Sequence, residues 1–202
     1  MQPHEFWQEL HPAGSFRVEA GHRAFFPATL ADGRQLLLPI RALADGRHGL
    51  ASLIVNQASF SVVEALAADL AARLAAYRPE IVIGLPTLGL TLAAEVARKL
   101  GHARYVPLGT SRKFWYDEAL SVPLSSITTQ QAKRLYVDPR MLPLIEGRRV
   151  ALVDDVISSG ASIKAGLDLL ASRGITATAG SGGRGRPEWR LWWCSLDQEG
   201  LS

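Results

Sequence analysis

Val150-Ala151-Leu152-Val153-Asp154-Asp155-Val156-Ile157-Ser158-Ser159-Gly160-Ala161-Ser162 is the stretch on which the fold turns. Val150 to Val153 is a short apolar run, as a strand buried on both faces requires. Two carboxylates, Asp154 and Asp155, stand where the run ends. A Ser158-Ser159-Gly160 loop follows, and then Ile163, Leu167 and Leu170 recur at helical spacing. In an open parallel sheet, ligands bind beyond the carboxyl ends of the strands. Small residues at a helix N-terminus leave amides free for a phosphate. Two acids beside such a phosphate cup suit a sugar phosphate, with the acids on its hydroxyls or on a metal.

The stretch resembles the phosphoribosyl-diphosphate (PRPP) motif of type I phosphoribosyltransferases: an apolar strand, two acids, a few small residues, then Ser/Thr and Gly. The resemblance implies an α/β fold with a mainly parallel sheet flanked by helices and a small N-terminal hood. It also implies that Asp154 and Asp155 hold the ribose hydroxyls. Val156, Ile157, Ser158, Ser159, Gly160, Ala161 and Ser162 would then cradle the 5-phosphate.

Upstream, Ser59 to Tyr77 is alanine-rich, with Val62, Leu66, Leu70 and Leu74 at helical spacing. Ser61 and Glu64 are spaced for a capping box at its start. Ile81 to Leu85 reads as a buried strand, Pro86 to Gly89 as a turn, and Thr91 to Leu100 as a helix closed by Gly101. Arg104 to Leu108 reads as a second strand, which completes a βαβ unit. Gly84 and Gly89 have the glycine spacing of a triphosphate P-loop, but Leu90 stands where that loop needs Lys. The turn of this βαβ unit holds no Gly-x-Gly-x-x-Gly, so it lacks the dinucleotide fingerprint. By resemblance, Thr87, Leu88 and Gly89 form the loop whose amides meet the pyrophosphate of PRPP. Many family members carry Arg or Lys in that loop, and this chain does not.

Residues 109–131 break the alternation. A basic pair, Arg112 and Lys113, three aromatics, and a Ser/Thr cluster fall together there without a clear period. The resemblance implies a flexible loop that closes over PRPP, with Arg112 and Lys113 acting on the pyrophosphate. Ser111-Arg112-Lys113 followed by the Ser/Thr run is similar to the adenine and xanthine branch. Leu135 to Val137 is a candidate strand. The hypoxanthine-guanine branch usually has an Asp at the position of Ser158, and Ser158 cannot act as a carboxylate base.

The N-terminal residues 1–57 are expected to form the hood as a separate lobe. Two apolar runs, Arg23 to Leu30 and Gln35 to Ile40, flank an Asp32-Gly33 turn and predict a hairpin. Phe25 and Phe26 could stack on a base or pack the hairpin. His4, His11 and His22 lack metal-ligand spacing and are expected to be solvated. The α/β core is expected over 58–179. Residues 180–202 are rich in Gly and Trp where a further strand and helix would continue, and are read as an aberrant, poorly packed tail.

The composition fits this picture. The chain has 202 residues, 22 Lys and Arg against 19 Asp and Glu, and a formal net charge of +3. That balance does not require a nucleic acid partner. A single cysteine, Cys194, rules out an internal disulfide framework and fits a reducing cytoplasm. No apolar run is long enough to span a membrane. The resemblance implies transfer of the 5-phosphoribosyl group from PRPP to a purine base, adenine or xanthine-like. It further implies Mg2+ held through PRPP, possession of a homodimeric state, and no membrane partner. The alternative is a regulator that binds PRPP without turnover.

Overall fold

The structure is a computed structural model that describes residues 2–43, 49–124, 133–156, 160–175 and 177. The expected hairpin is present. Strand β1 (Phe25–Thr29) pairs antiparallel with β2 (Gln35–Ala42), with Phe25 opposite Pro39 and Thr29 opposite Gln35. The turn between them needs Gly33 at φ 85°, which a side chain would disfavour. Strand β3 (Gly49–Ala51) joins the far side of β2.

Helix α1 (Phe60–Ala75) follows. Its cap is Ser59, whose Oγ accepts from the Val62 amide at 3.3 Å, so the Ser61–Glu64 box is not what starts it. Ser61 lies inside the first turn with its Oγ 2.9 Å from that of Ser59. Glu64 instead takes the Lys99 ammonium at 2.6 Å, which ties α1 to α2 (Gly89–Lys99).

Strands β4 (Ile81–Gly84) and β5 (Val106–Pro107) flank α2 and pair in parallel. Strands β6 (Ser121–Leu124) and β7 (Lys133–Tyr136) form an antiparallel hairpin. Part of the stretch expected to lack regular structure is therefore a strand, and the strand expected at Leu135 to Val137 begins two residues earlier. Strand β8 (Val150–Val153) pairs in parallel with β4, Ile81 opposite Val150 and Gly84 opposite Val153. Helix α3 (Ala161–Ala171) follows it.

The parallel sheet runs β5-β4-β8, and Ala177 bridges to Val150 in parallel on the outer side of β8. A further parallel edge thus begins after Gly174, inside the span expected for the α/β core. Both faces of the sheet are covered. Val82, Ala151 and Val153 point into a core shared with α1 and α2. Ile81, Ile83, Val150 and Leu152 point into a second core with Ile163, Leu169 and Leu170 of α3. This alternation is the period of two of a strand, here between two apolar layers.

The hairpin is not a separate lobe. Trp7, Ala28, Leu30, Leu36 and Leu38 belong to the same core as α1 and α2. Leu36 and Leu38 lie two apart on β2, and burying them needs an apolar partner, which the two helices supply. Phe26 packs against this core, and Phe25 lies edge-on to Phe16 with centroids 5.5 Å apart. Two histidines depart from expectation: His11 lies 5.0 Å from Phe16 and His22 lies 5.2 Å from Phe25, so both join the ring packing. Among the described residues, no helix is long and apolar enough to cross a membrane. The Ser/Thr cluster of 125–129 and the tail from 178 onward, with its expected poor packing, lie outside the described residues.

Candidate active site at the carboxyl edge of the sheet

In the order β5-β4-β8 the chain leaves β4 toward one neighbour and β8 lies on the other side, so the strand order reverses between β4 and β8. Ligands of open α/β sheets bind outside such a point. Two loops start there, Leu85 to Leu88 after β4 and Asp154 onward after β8. The Leu85 amide still donates to the Val153 carbonyl at 2.9 Å, which keeps the loop roots side by side. The sequence reading assigned both loops to the site, and the structure sets their roots side by side.

Each loop runs into a helix whose N-cap residue, Leu88 for α2 and Gly160 for α3, makes no side-chain cap hydrogen bond. The first amides of a helix have no acceptor within it and carry its positive end. Thr87 is exposed on the first loop, and the Pro86–Thr87 peptide is cis. Leu88 turns its side chain toward the first core, so it offers the site only backbone. Gly89 is buried and opens α2. On the second loop Gly160 adopts φ 75° just before α3, a left-handed conformation suited to glycine. Val156, Gly160, Ala161 and Ser162 lie around the end of β8 and the start of α3. Ile157, Ser158 and Ser159, the middle of the expected phosphate cup, lie outside the described residues.

The acids sit between the loops. The Asp155 amide donates to Asp154 Oδ1 at 3.0 Å. Burial first, and then the neighbouring charge of Asp155, push the Asp154 carboxyl up to about 7. Burial also raises Asp155. Two half-buried acids with no cation paired to them among the described residues are costly to keep for the fold alone. They are an arrangement waiting for a donor, such as sugar hydroxyls, or for a cation. Among the described residues, no group of three or more His, Cys, Asp or Glu is gathered for a metal ion. Magnesium fits such a two-carboxylate site when water and substrate oxygens supply the rest of its shell.

Arg112 and Lys113 are on the segment that leaves the carboxyl end of β5, the same end of the sheet as the acids. Arg112 lies 3.6 Å from the Glu118 carboxylate, and both Arg112 and Lys113 are exposed. Neither is placed against the acid pair. Sequence reasoning missed what holds this segment. Trp115 Nε1 donates to Asp138 at 3.2 Å, and Arg140 lies over the Trp115 ring at 4.5 Å. Arg140 also donates to both oxygens of Asp138, at 2.6 and 3.0 Å. That pairing holds the Asp138 carboxyl down at about 2. Asp138 before Pro139, a cap followed by proline, was the available signal.

Strand-end acids and the N-termini of α2 and α3 thus meet at the switch point of the sheet. A family model described as "Phosphoribosyl transferase domain" matches residues 51–199, which is most of the chain, and the chain belongs to that family. Its sheet and flanking helices are the type I phosphoribosyltransferase fold. The match takes in the tail to residue 199 and begins after the first fifty residues.

Adenine phosphoribosyltransferase of Paracidovorax citrulli is 33% identical over 109 residues, 52% of this chain and 54% of that protein. Bifunctional protein PyrR of Pseudomonas aeruginosa is 36% identical over 117 residues, 56% of this chain and 62% of that protein. Hypoxanthine/guanine phosphoribosyltransferase of Methanosalsum zhilinae is 33% identical over 94 residues, 46% of this chain and 45% of that protein. The chain spans about half the length of the curated relatives it matches. The solved adenine phosphoribosyltransferase of Rhodothermus marinus superposes with a TM-score of 0.47 at 20% identity, over 67% of this chain and 75% of that one.

Proposed function

We propose that this protein transfers the 5-phosphoribosyl group of PRPP to a ring nitrogen of a purine base, adenine or xanthine-like, and releases pyrophosphate. The observation that carries this is the meeting of Asp154 with the Thr87–Gly89 loop at the switch point. Asp154 and Asp155 accept from the ribose hydroxyls. The amides around Thr87, Leu88 and Gly89 hold the pyrophosphate. The α3 N-terminus, with Gly160 to Ser162, holds the 5-phosphate.

In the reaction the bond from ribose C1 to a pyrophosphate oxygen breaks, and its electron pair leaves with the pyrophosphate. The base nitrogen bonds to C1 and gives its proton to solvent. Charge builds on the leaving group, so fixed positive dipoles and cations serve it best. Magnesium, when bound through PRPP oxygens and water near Asp154 and Asp155, would supply charge neutralisation. Arg112 and Lys113 would add positive charge from the β5 side. A cytoplasmic homodimer acting without nucleic acid completes the proposal.

A second proposal is a PRPP-binding regulator without turnover. It is favoured by one relative, "Transcriptional regulator GfcR" of Archaeoglobus fulgidus, 34% identical over 93 residues. One experiment separates the two: incubation with PRPP, Mg2+ and a panel of adenine, xanthine, hypoxanthine, guanine and uracil. Pyrophosphate release with a purine supports the transferase. PRPP binding without release for any base supports the regulator.

A further inference from the structure

Among the described residues four glycines, Gly49, Gly84, Gly89 and Gly166, have no room for a methyl group, and they differ in what fills the space; at Gly49 it is the Ile40 side chain, 2.6 Å from such a Cβ. A Cβ on Gly84 would lie 2.8 Å from the Ala93 methyl, and one on Gly166 would lie 2.8 Å from the end of the Leu152 side chain. Those are packing contacts of a strand or helix with apolar side chains. A Cβ on Gly89 would lie 2.7 Å from Asp154 Oδ1, 2.9 Å from Asp154 Cα and 3.2 Å from the Val153 carbonyl. Two of these three atoms are backbone, which no rotamer change can clear. The first turn of α2 thus rests directly on the end of β8.

Gly89 is helical and has no positive φ, so its conformation does not call for glycine. Alanine is the better helix former at such a position. Space beside Asp154 is what glycine provides there. We propose that Gly89 is a positioning residue for Asp154: its bare Cα sets the distance between the acid and the amides that open α2. This rests on the transferase proposal, in which those two groups grip opposite sides of the bond that breaks. The acid holds the ribose, and the amides hold the departing pyrophosphate. A methyl group at residue 89 would push the strand end and the helix apart. It would then disturb both grips, although the methyl itself lies in only one loop.

The test uses the full chain and two separate probes, ribose 5-phosphate and inorganic pyrophosphate, titrated calorimetrically with Mg2+. Gly89→Ala is expected to weaken both at least tenfold. Asp154→Asn is expected to weaken ribose 5-phosphate alone, and Gly166→Ala neither. Loss of pyrophosphate alone in Gly89→Ala, or of neither probe, overturns the proposal, because the glycine would then serve only its own loop. The 13C resonance of the Asp154 carboxyl gives a readout without ligand. It should move in Gly89→Ala and stay in Gly166→Ala, and no movement in the former overturns the proposal. If the unaltered protein binds neither probe, the transferase proposal falls, while the resonance still judges the contact. Should Gly89→Ala fail to fold, Asp154→Glu moves the carboxylate by one methylene without touching α2. It should weaken ribose 5-phosphate tenfold, and unchanged affinity would show that the position of the acid is immaterial.

Discussion

In the proposed transferase Asp154 and Asp155 would serve binding at the expense of folding, and the two effects have opposite signs. The Asp154 carboxyl, ordinarily near 3.8, stands at about 7 because it is half-buried beside a second acid. Its folded value lies above its unfolded one. Stability is therefore fully present below about 3.8 and is lost as pH rises through about 7. Asp154→Asn removes that loss. Urea melts should show the variant more stable at pH 8 by on the order of 1–3 kcal/mol, and little changed at pH 4. Its PRPP affinity should nevertheless fall about tenfold to a hundredfold, since charge-assisted hydrogen bonds contribute roughly 1.5–3 kcal/mol. The same affinity loss is expected for Asp155→Asn. A variant with unaltered affinity and turnover would make the pair an ordinary solvated turn. The acids were legible because strand, acids and loop lie within thirteen consecutive residues. The close approach of Gly89 to Asp154 was not, because nothing local to either residue announces a contact across the sheet.

The segment from Gly109 to Leu124 is an element that local sequence describes poorly. Ser121-Val122-Pro123-Leu124 is four residues long and contains a proline, which strand patterns count against. It forms because β7 lies opposite, with Pro123 facing Arg134. The root of this element is fastened by Trp115, Asp138 and Arg140. Asp138 is held below its ordinary value, so the fastening is complete above about 3.8 and is lost as pH falls through about 2. Trp115 fluorescence, taken as the difference from Trp115→Phe, should report an acid transition in that range. Asp138→Asn should abolish it, and an unchanged transition would mean that another group controls this root. The element also carries Lys113, exposed and free to meet a charged ligand. Lys113→Ala should lower turnover far more than PRPP affinity, as expected of a contact made mainly in the transition state. Equal turnover would remove this lysine from the mechanism.

For the whole molecule, alternating apolar runs and helical periods make the parallel sheet legible in the sequence. The placement of the hairpin is not, since Leu36 and Leu38 require burial without naming the surface that buries them. They meet α1 and α2 and share one core with them. The far edge of the sheet carries a comparable dependence. Ile175, 4% exposed, closes the second core just before Ala177 pairs with Val150. Ile175→Ala should cost about 2–4 kcal/mol, the usual penalty for emptying such a site. Thermal melts that shift by less than a degree would show that this edge does not support the core.

The pairing of β4 with β8 joins Ile81 to Val150, across sixty-nine residues of chain. Closing so long a loop is entropically slow, and contacts of large sequence separation form late. The unit from α1 to β5 has its contacts close in sequence and can assemble early. A growing chain would therefore hold its first loop and α2 in near-final form while Asp154 had yet to be synthesised. The acid pair arrives late, on a strand that docks against a surface already made. Binding competence and completion of the sheet should therefore appear in the same kinetic phase of refolding.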